Sequence, residues 1–449
     1  MILYQVKHLP SCPRGFQTVI TESDNQRLTS VMAGTPGGEL LRRYWYPIAT
    51  ATEMRDVWTK RVRLLGEDLV LYRDRSGRLG LIGEICPHRR ASLAYGIPQI
   101  DGIRCPYHGW KFDATGACIE QPNEPAGSTF KDKINIGGYV VGELGGLIWG
   151  YLGPQPAPLI PKLDGFVVEP AIRMLGQALV PCNWLQIMEN SCDPVHTEWL
   201  HGHLQEFVEE QRDGIKPSFA ISRHHVAIAF DEFEYGLYKR RLYEGQSEDA
   251  DDWKVGHPVF FPNILAVGSK RDGSRTYSFQ IRVPVDDTTT MHYWYNAYTL
   301  HPDVEIPKHM GDGVTQFDVP LRQDNGDFNL ALLDAQDVMA WVTQGPVAKR
   351  ELEKLGTTDR GVILFRKMLD REIERVAAGQ DPMGVIREPE KNTVIDLHVE
   401  YDKSMMSDGM ASRLERTQGR YYPHIKELID LLGAAQERAK ADRPLAATH

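Results

Sequence analysis

The chain has 449 residues, 42% of them hydrophobic, which is ample for two or three domains with packed cores. A net charge of −10 and the lack of a long basic cluster argue against nucleic acid or an anionic membrane as the main partner. Six cysteines are too few for a disulfide framework. No apolar run approaches the roughly eighteen residues of a membrane span, and residues 1–18 lack a signal-like apolar core. We therefore expect a cytoplasmic protein without membrane contact.

The first part of the chain predicts an arm followed by a small β domain. Residues 1–44 carry scattered proline and glycine and end in a short helix that begins at Gly38, and we assign no chemistry to them. Short strands follow, with a hairpin turn predicted at Arg73–Arg78. Prolines crowd the segment 153–158, which neither a central strand nor a helix tolerates. We therefore predict one domain over residues 45–158 and a second over residues 159–449.

Two short loops of the first domain each combine a cysteine with a histidine. Cys86 is followed closely by His88, and Cys105 by His108. Two thiolates and two imidazoles can hold a Rieske [2Fe–2S] cluster, in which two histidines replace two cysteines on one iron. The same four residues could bind structural zinc, but zinc fingers usually pair Cys with Cys and His with His. The pattern therefore favours a cluster that carries single electrons.

A second metal-binding pattern lies in the segment Asn183–His201. His196 and His201, with one carboxylate from elsewhere, would form the set of two histidines and one carboxylate that leaves positions on Fe(II) open for dioxygen. Residues five apart lie about 140° apart on a regular helix. Both imidazoles can therefore reach one ion only if the helix is kinked or π-bulged there. Otherwise these are ordinary surface or core histidines.

The remainder of the second domain predicts an antiparallel sheet followed by helices, which is an α+β arrangement. Segments rich in β-branched and aromatic residues indicate the strands, and apolar residues at helical spacing indicate the helices. The predicted strands are 226–230, 233–243, 258–267, 276–285 and 291–300, and the predicted helices are 330–343, 359–378 and 410–439, the last interrupted at Pro423.

Together these patterns resemble the Rieske non-haem iron oxygenases, and within them the alpha-only group related to phthalate dioxygenase. The resemblance rests on Cys86-Pro-His88, Cys105-Pro-Tyr-His108, Asn183–His201 and Gln336–Gly345. It implies an α+β fold with an N-terminal all-β Rieske [2Fe–2S] domain and a helix-grip catalytic domain. It implies two cofactors, a Rieske cluster and a mononuclear Fe(II).

The resemblance also assigns roles to residues near the iron. It implies Asp337 as the third iron ligand beside His196 and His201. It implies a homotrimer, or a dimer of trimers, in which Asp193 bridges the cluster of one subunit and the iron of the next. Asp193 could instead simply orient His196. Asn190 is expected near the iron, whereas Glu189 and Glu198 are expected to be ordinary hydrogen-bonded or solvated carboxylates.

The reaction that the resemblance implies is cis-dihydroxylation of an aromatic carboxylate of the phthalate or isophthalate kind, with O2 and electrons from NAD(P)H. The sequence has neither a dinucleotide-binding glycine fingerprint nor a P-loop, so the electrons should come from a separate flavin/iron–sulfur reductase or a ferredoxin. One alternative is a monooxygenase such as an O-demethylase. Another is a Rieske electron carrier without catalytic iron, which conflicts with about 290 residues beyond the cluster domain.

A buried substrate carboxylate needs a cationic partner, because an unpaired buried charge is costly. Arg241 is predicted to share a strand face with Tyr235 and Leu237, which could line a ring-binding pocket. We predict Arg241 and Lys254 as substrate-binding residues, although each could instead be a solvated surface charge.

Overall fold

A computed structural model describes residues 20–271, 273–398 and 409–442. The first half of the predicted N-terminal arm, residues 1–19, lies outside this part of the chain. Within the described residues, no helix is both long enough and apolar enough to cross a membrane.

The N-terminal domain is built on two antiparallel sheets. In spatial order, the six-stranded sheet comprises Trp45–Thr50, Leu147–Tyr151, Gly138–Leu144, Leu79–Gly83, Glu67–Arg73 and Thr59–Leu64. The four-stranded sheet comprises Ile97–Gln99, Gly102–Arg104, Lys111–Phe112 and Cys118–Glu120. The predicted hairpin at Arg73–Arg78 is confirmed, and the Asp74 carboxylate accepts the backbone N–H groups of Ser76 and Arg78 at 2.8 and 3.0 Å. Such a side chain-to-backbone bond is what favours aspartate in turns.

Helices of the N-terminal arm precede the first strand. They are Glu22–Thr29 and Pro36–Leu41, and a single helical turn, Glu53–Asp56, follows that strand. The helix predicted from Gly38 begins earlier, at Pro36, because Thr35 caps it and proline suits its first turn. It also ends earlier, at Leu41, because Trp45 already pairs with Tyr151 in the sheet.

The second domain is organised around a nine-stranded sheet. In spatial order the strands are His225–Phe233, Gly236–Tyr243, His257–Phe260, Ile264–Ala266, Ser274–Asp286, Thr289–Leu300, Ile172–Val180 and Val314–Asp318, with Ser269–Arg271 pairing beside Ser274–Asp286. The predicted strands are confirmed, except that the segment 258–267, predicted as one strand, forms the two strands His257–Phe260 and Ile264–Ala266, separated by a turn that contains Pro262. Three strands of this sheet escaped prediction, Ile172–Val180, Val314–Asp318 and Ser269–Arg271, and the first two pair in parallel in an otherwise antiparallel sheet. The first is buried along most of its length and therefore lacks the alternation that marks a half-exposed strand.

The helices of this domain follow the predicted order. The longer ones are Trp184–Ser191, Leu204–Asp213, Leu333–Val342, Arg360–Ala377, Gly409–Arg416 and Ile425–Ala441, and single turns occur at Asp164–Val167, Asp251–Lys254 and Lys308–Gly311. The interruption predicted at Pro423 is confirmed, because it lies between the last two helices.

The long helix Arg360–Ala377 packs its apolar stripe into the main core. Phe365 and Leu369 belong to the same buried cluster as Phe230 and Val259 of the sheet. At the start of this helix a Cβ atom on Gly361 would lie 2.1 Å from the Cys192 carbonyl oxygen. The helix therefore lies directly against the segment that carries the candidate iron ligands, and the predicted α+β class is confirmed.

Candidate active site

The two cysteine–histidine loops have the same backbone hydrogen bonds. The Cys86 N–H donates to Ala91 O at 2.9 Å, and the Arg90 N–H donates back to Cys86 O at 3.0 Å. In the second loop the Cys105 N–H donates to Trp110 O at 2.8 Å, and the Gly109 N–H donates to Cys105 O at 3.0 Å. The fourth residue after each cysteine is left-handed, with φ of 63° at Arg90 and 78° at Gly109. Two matched turns therefore present their side chains toward each other.

The side chains of these loops fit a two-iron cluster. Cys86 and Cys105 are buried and form no disulfide, whereas His88 is exposed and its ring lies 4.4 Å from that of His108. Trp110 stacks on His88 at 4.7 Å. Burial raises the pKa of the Cys86 thiol to about 11, and nearby Cys105 adds to this. A bound cation would favour the thiolate form of Cys86 in this buried place, which is the condition that an iron cluster meets.

A π-helical segment brings the two iron-motif histidines together. The helix Trp184–Ser191 ends at Cys192, and Thr197–His203 then forms a π-helix before the chain returns to α-helical geometry. Because π-helical bonds join residues five apart, His196 and His201 can share one side. Their ring centroids are 5.4 Å apart. The helical irregularity expected from the spacing of this pair is thus confirmed.

Asp337 approaches both imidazoles from the helix Leu333–Val342. Its Oδ1 atom lies 3.2 Å from His201 Nε2 and 3.8 Å from His196 Nε2. One donor atom from each of these three residues lies within 4.8 Å of the other two. The Asn190 amide donates to the same Oδ1 atom at 3.5 Å. This is the arrangement of donors expected for one divalent ion.

The outer nitrogens of the two imidazoles have different surroundings. Gln336 Oε1 accepts from His201 Nδ1 at 3.0 Å, and the Gln336 amide donates to Leu330 O at 2.8 Å. This bond leaves the lone pair of His201 on Nε2, which faces Asp337. His196 Nδ1 is buried without a hydrogen bond, and Asp193 Oδ2 lies 3.8 Å away. Gln336 is a residue to which sequence reasoning assigned no role, although it directly precedes Asp337.

Electrostatics hold His196 and Asp337 in the protonation states that bind metals. In His201 burial would lower the pKa, but Asp337 and Gln336 outweigh it and raise that pKa above its ordinary value. Burial lowers the pKa of His196 to about 3, so its imidazole is neutral at pH 7. Burial alone would raise the pKa of Asp337, but His201, His196 and Arg282 outweigh it and keep that pKa below its ordinary value. A neutral imidazole and an ionised carboxylate are the forms that a divalent cation requires.

Glu189 and Glu198 are structural carboxylates, as predicted. Glu189 is buried and accepts from Arg350 Nε and Nη2 at 2.8 and 2.7 Å and from Arg366 Nε at 2.5 Å. Glu198 accepts from the backbone N–H of His225 at 2.9 Å. Both anchor the segment that carries the histidines.

The two cations predicted to bind substrate lie in different environments. Arg241 is 2% exposed and contacts Asp252 at 3.3 Å and His257 Nε2 at 2.8 Å. Lys254 is 57% exposed, and its Nζ lies 2.8 Å from Asp249. Of the two, only Arg241 is buried within the sheet.

Strand register places further cations on the same face as Arg241. Lys239 lies opposite His257, and Arg282 lies opposite His292. The cross-strand partners Leu237, Val259, Leu265 and Gln280 connect these pairs across the sheet. Because alternate residues share a face, all of these cations point to one side.

That side faces Asp337. The Asp337 charge acts on both Lys239 and Arg282, and burial lowers the pKa of Lys239 to about 8 and that of Arg282 to about 9. Among the described residues, neither cation forms an ion pair with a carboxylate. Trp341, one helical turn beyond Asp337, lies 5.4 Å from the His292 ring. Buried nitrogens of Arg282, His292 and Trp341 have no hydrogen-bond partner.

Sequence reasoning assigned no role to Lys239 or Arg282, because their placement on this face depends on pairing between strands. Lys239 is visible in the sequence as the first of three consecutive basic residues. Nothing local distinguishes it from Arg241, since both lie on the same strand face.

Comparison with known families covers both halves of the chain. Residues 44–132 match the Rieske [2Fe-2S] domain, and residues 318–404 match the family described as LigXa C-terminal domain like. The second match contains Asp337.

Two relatives of similar length support the same relationship. The oxygenase subunit of 5,5'-dehydrodivanillate O-demethylase from Sphingobium sp. is 37% identical over 400 residues, covering 88% of this chain and 91% of the relative. The oxygenase subunit of phthalate 4,5-dioxygenase from Pseudomonas putida is 33% identical over 401 residues, covering 82% and 89%.

Solved structures support the fold. NdmA from Pseudomonas putida CBB5 superposes with a TM-score of 0.56 at 20% identity, over 80% of this chain and 94% of NdmA. The terminal oxygenase of carbazole 1,9a-dioxygenase from Novosphingobium sp. KA1 gives 0.51 at 19% identity, over 77% and 96%. The Rieske match sets aside the zinc alternative, and the full-length oxygenase relatives set aside a simple electron carrier. The chain belongs to the Rieske non-haem iron oxygenases, and it is the oxygenase component of an aromatic-compound oxygenase system that carries a Rieske [2Fe–2S] cluster and a mononuclear iron.

Proposed function

We propose that this oxygenase component oxidises an aromatic carboxylate at an iron held by His196, His201 and Asp337. The observation that carries this proposal is the convergence of these three donors beneath a sheet face on which the buried cations Lys239 and Arg282 form no ion pair with a carboxylate of the described residues. When bound, the iron supplies the activation of dioxygen, with electrons that arrive through the Rieske cluster.

The chain's own residues then orient the ligands and the substrate. Gln336 fixes the tautomer of His201, and the Asn190 amide donates to the carboxylate of Asp337. We assign Asn190 and Asp193 to the catalytic site on this basis. The role proposed for Asp193 is to orient His196, because Asp193 Oδ2 lies 3.8 Å from His196 Nδ1, and to lie on the path of electrons to the iron.

Electrons come from NAD(P)H through a separate reductase or ferredoxin. In this proposal Cys86 and Cys105 hold one iron of the cluster, and His88 and His108 hold the other. Because His88 is exposed, electrons could pass between the cluster and another protein at this surface. A solved structure of carbazole 1,9a-dioxygenase contains an oxygenase in complex with ferredoxin, which makes the same kind of partner reasonable here.

A homotrimer, or a dimer of trimers, would complete the electron path. Asp193 is partly exposed, with 23% of its side-chain surface accessible. It can therefore meet a histidine of a neighbouring subunit while keeping its place beside His196. The boundary between the domains at residue 158 and the cytoplasmic location remain predictions from the sequence.

The buried positive charges near the iron site support an aromatic carboxylate as the substrate. Lys239 and Arg282 are buried near Asp337, and a buried cation without a counter-ion is costly unless a ligand provides one. A substrate carboxylate would provide it, with Arg241 held close by through Asp252. The names of the relatives include dehydrodivanillate, phthalate, phenoxybenzoate and 3-chlorobenzoate, all aromatic carboxylates.

Two reactions on such a substrate have support. Cis-dihydroxylation of a phthalate- or isophthalate-like ring, which adds both atoms of O2, is favoured by the phthalate dioxygenase relative. O-demethylation of a methoxylated aromatic acid is favoured by the 37% identical relative, which is named an O-demethylase oxygenase subunit. In demethylation one oxygen atom enters the methyl group, which leaves as formaldehyde, and the other forms water.

Product analysis under ¹⁸O2 separates these reactions. The purified chain, a compatible reductase and NADH are supplied with phthalate, isophthalate and a methoxybenzoate in turn. A diol with two labelled oxygens indicates dihydroxylation, whereas formaldehyde and an unlabelled phenol indicate demethylation. If no aromatic acid stimulates oxygen consumption, the proposed substrate class is wrong.

A further inference from the structure

A second group of metal-binding side chains lies at the C-terminal helix. It comprises His309, His424 and Glu427, and one donor atom from each lies within 4.8 Å of the other two. His309 Nε2 is 2.9 Å from Glu427 Oε2, and the two imidazole rings are 4.9 Å apart. None of the three belongs to the catalytic constellation described above.

The backbones that carry these side chains are held by one shared core. His309 directly precedes Met310, which is buried with Tyr422 and Leu428 in a single apolar cluster. His424 caps the helix Ile425–Ala441, and Glu427 lies in its first turn. The three donors therefore approach each other from fixed supports, which limits the entropy lost when they bind an ion.

The donor set suits zinc. Zn²⁺ takes imidazole nitrogens and carboxylate oxygens at about 2.0–2.2 Å in a tetrahedral arrangement, which separates neighbouring ligand atoms by roughly 3.3 Å. The observed His309 Nε2–Glu427 Oε2 separation of 2.9 Å is close to that value, and all three donor atoms lie within 4.8 Å of one another. Within the described part of the chain, the His424 ring makes no hydrogen bond, so its nitrogens are open to a metal.

We propose that His309, His424 and Glu427 bind a divalent metal of the zinc class, with water in the fourth position. The metal would fasten the C-terminal helix to the segment that leads into the strand Val314–Asp318. Lys308 and Lys426 flank the site and are exposed, so they can turn away from the ion.

Such a fastening would support the scaffold of the catalytic site. Leu428 and Leu432 of the C-terminal helix pack with Leu332 and Ala335. These last two residues lie at the start of the helix that presents Asp337. At the other end of the C-terminal helix, His301 Nε2 lies 2.9 Å from Asp442 Oδ2. This histidine–carboxylate pair lies outside the proposed metal site, so a substitution of His301 is a matched control for substitutions within it.

Calorimetric titration of the iron-replete holoenzyme with Zn²⁺ tests the proposal. We expect one site with a Kd in roughly the micromolar range and a rise in Tm when it fills. His424→Ala and the conservative Glu427→Gln should each weaken this binding by about tenfold or more, while His301→Ala retains it. Iron content before and after titration shows whether zinc has displaced the catalytic iron.

Three outcomes would overturn the proposal. They are the absence of Zn²⁺ binding, equal affinity in the wild type and Glu427→Gln, and binding that is accounted for by lost iron. Because Glu427→Gln keeps the size of the side chain, a folding defect in His424→Ala would leave the test intact.

Discussion

Single residues decide whether the catalytic centre can hold its iron. Asp337 is the one carboxylate that faces both His196 and His201 in the constellation. Asp337→Ala should therefore remove mononuclear iron and abolish turnover, because two imidazoles alone bind Fe(II) weakly. The visible spectrum of the Rieske cluster should persist, since the cluster loops lie in another part of the fold. Iron analysis and absorption spectra measure both effects.

Two variants give this experiment its controls. His203→Ala changes a more exposed histidine of the same π-helix, and it should keep both metal centres and the spectrum. Cys86→Ser should lose the cluster absorption instead. Full mononuclear iron in Asp337→Ala would show that the ligand assignment is wrong.

Substitutions of Arg282 and Arg241 should have opposite effects on substrate binding and on stability. Among the described residues the Arg282 guanidinium donates hydrogen bonds to Gln280 alone and has no carboxylate partner, so Arg282→Met should raise KM for an aromatic acid about tenfold or more, or roughly 1.4 kcal/mol. Its stability should change little, because replacing an unpaired buried charge is often neutral or favourable.

Arg241→Met provides the comparison. It removes a partner of buried Asp252 and should lower the free energy of unfolding by about 3 kcal/mol. If Arg241 is the anchor instead, as the sequence suggested, KM will rise in this variant and remain unchanged in Arg282→Met. Steady-state kinetics and denaturant unfolding distinguish the two.

At the scale of elements, one buried carboxylate ties the iron-motif helix to its neighbours. Glu189 pairs with Arg350 and with Arg366 of the helix Arg360–Ala377. Glu189→Ala should cost about 3–5 kcal/mol of unfolding free energy, because it leaves buried arginine charges without this partner. Denaturant unfolding at neutral pH measures it.

The same carboxylate should make stability depend on pH. Burial would raise the pKa of Glu189, but Arg350 and Arg366 outweigh it, so that its pKa is lower in the folded state than in the unfolded chain. Its contribution is therefore complete above the unfolded pKa of about 4.3 and is lost as pH falls. As the pH is lowered below roughly 5, the free energy of unfolding should therefore fall less in Glu189→Gln than in the wild type. Glu353→Gln, which removes a more exposed partner of Arg366, is the control.

At the scale of the whole molecule, the proposed trimer predicts complementation between subunits. Cys86→Ser subunits lack the cluster, and His196→Ala subunits lack the iron. Co-expressed together, they should regain a measurable fraction of wild-type turnover, because a cluster in one subunit can reduce the iron of the next. Asp193→Asn in the subunit that keeps its iron should abolish the recovery without loss of either metal. Inactive mixed trimers, or a fully active monomer, would contradict the path.

The sequence by itself determined the features that depend on short-range patterns. Cys86, His88, Cys105 and His108 are recognisable because each loop contains its own donors. The π-helical irregularity follows from the spacing of His196 and His201, since a regular helix would separate them. Strands and helices with clear periodicity were predicted within a few residues.

Only the tertiary structure decided what depends on contacts between distant segments. The strand Ile172–Val180 is buried almost throughout, so it has no alternating pattern to read. The difference among Lys239, Arg241 and Arg282 arises because Asp252 lies beside one of them and Asp337 faces the other two. The energy of a buried charge depends on which counter-charge the fold brings to it, and strand register, which the local sequence does not specify, sets that pairing.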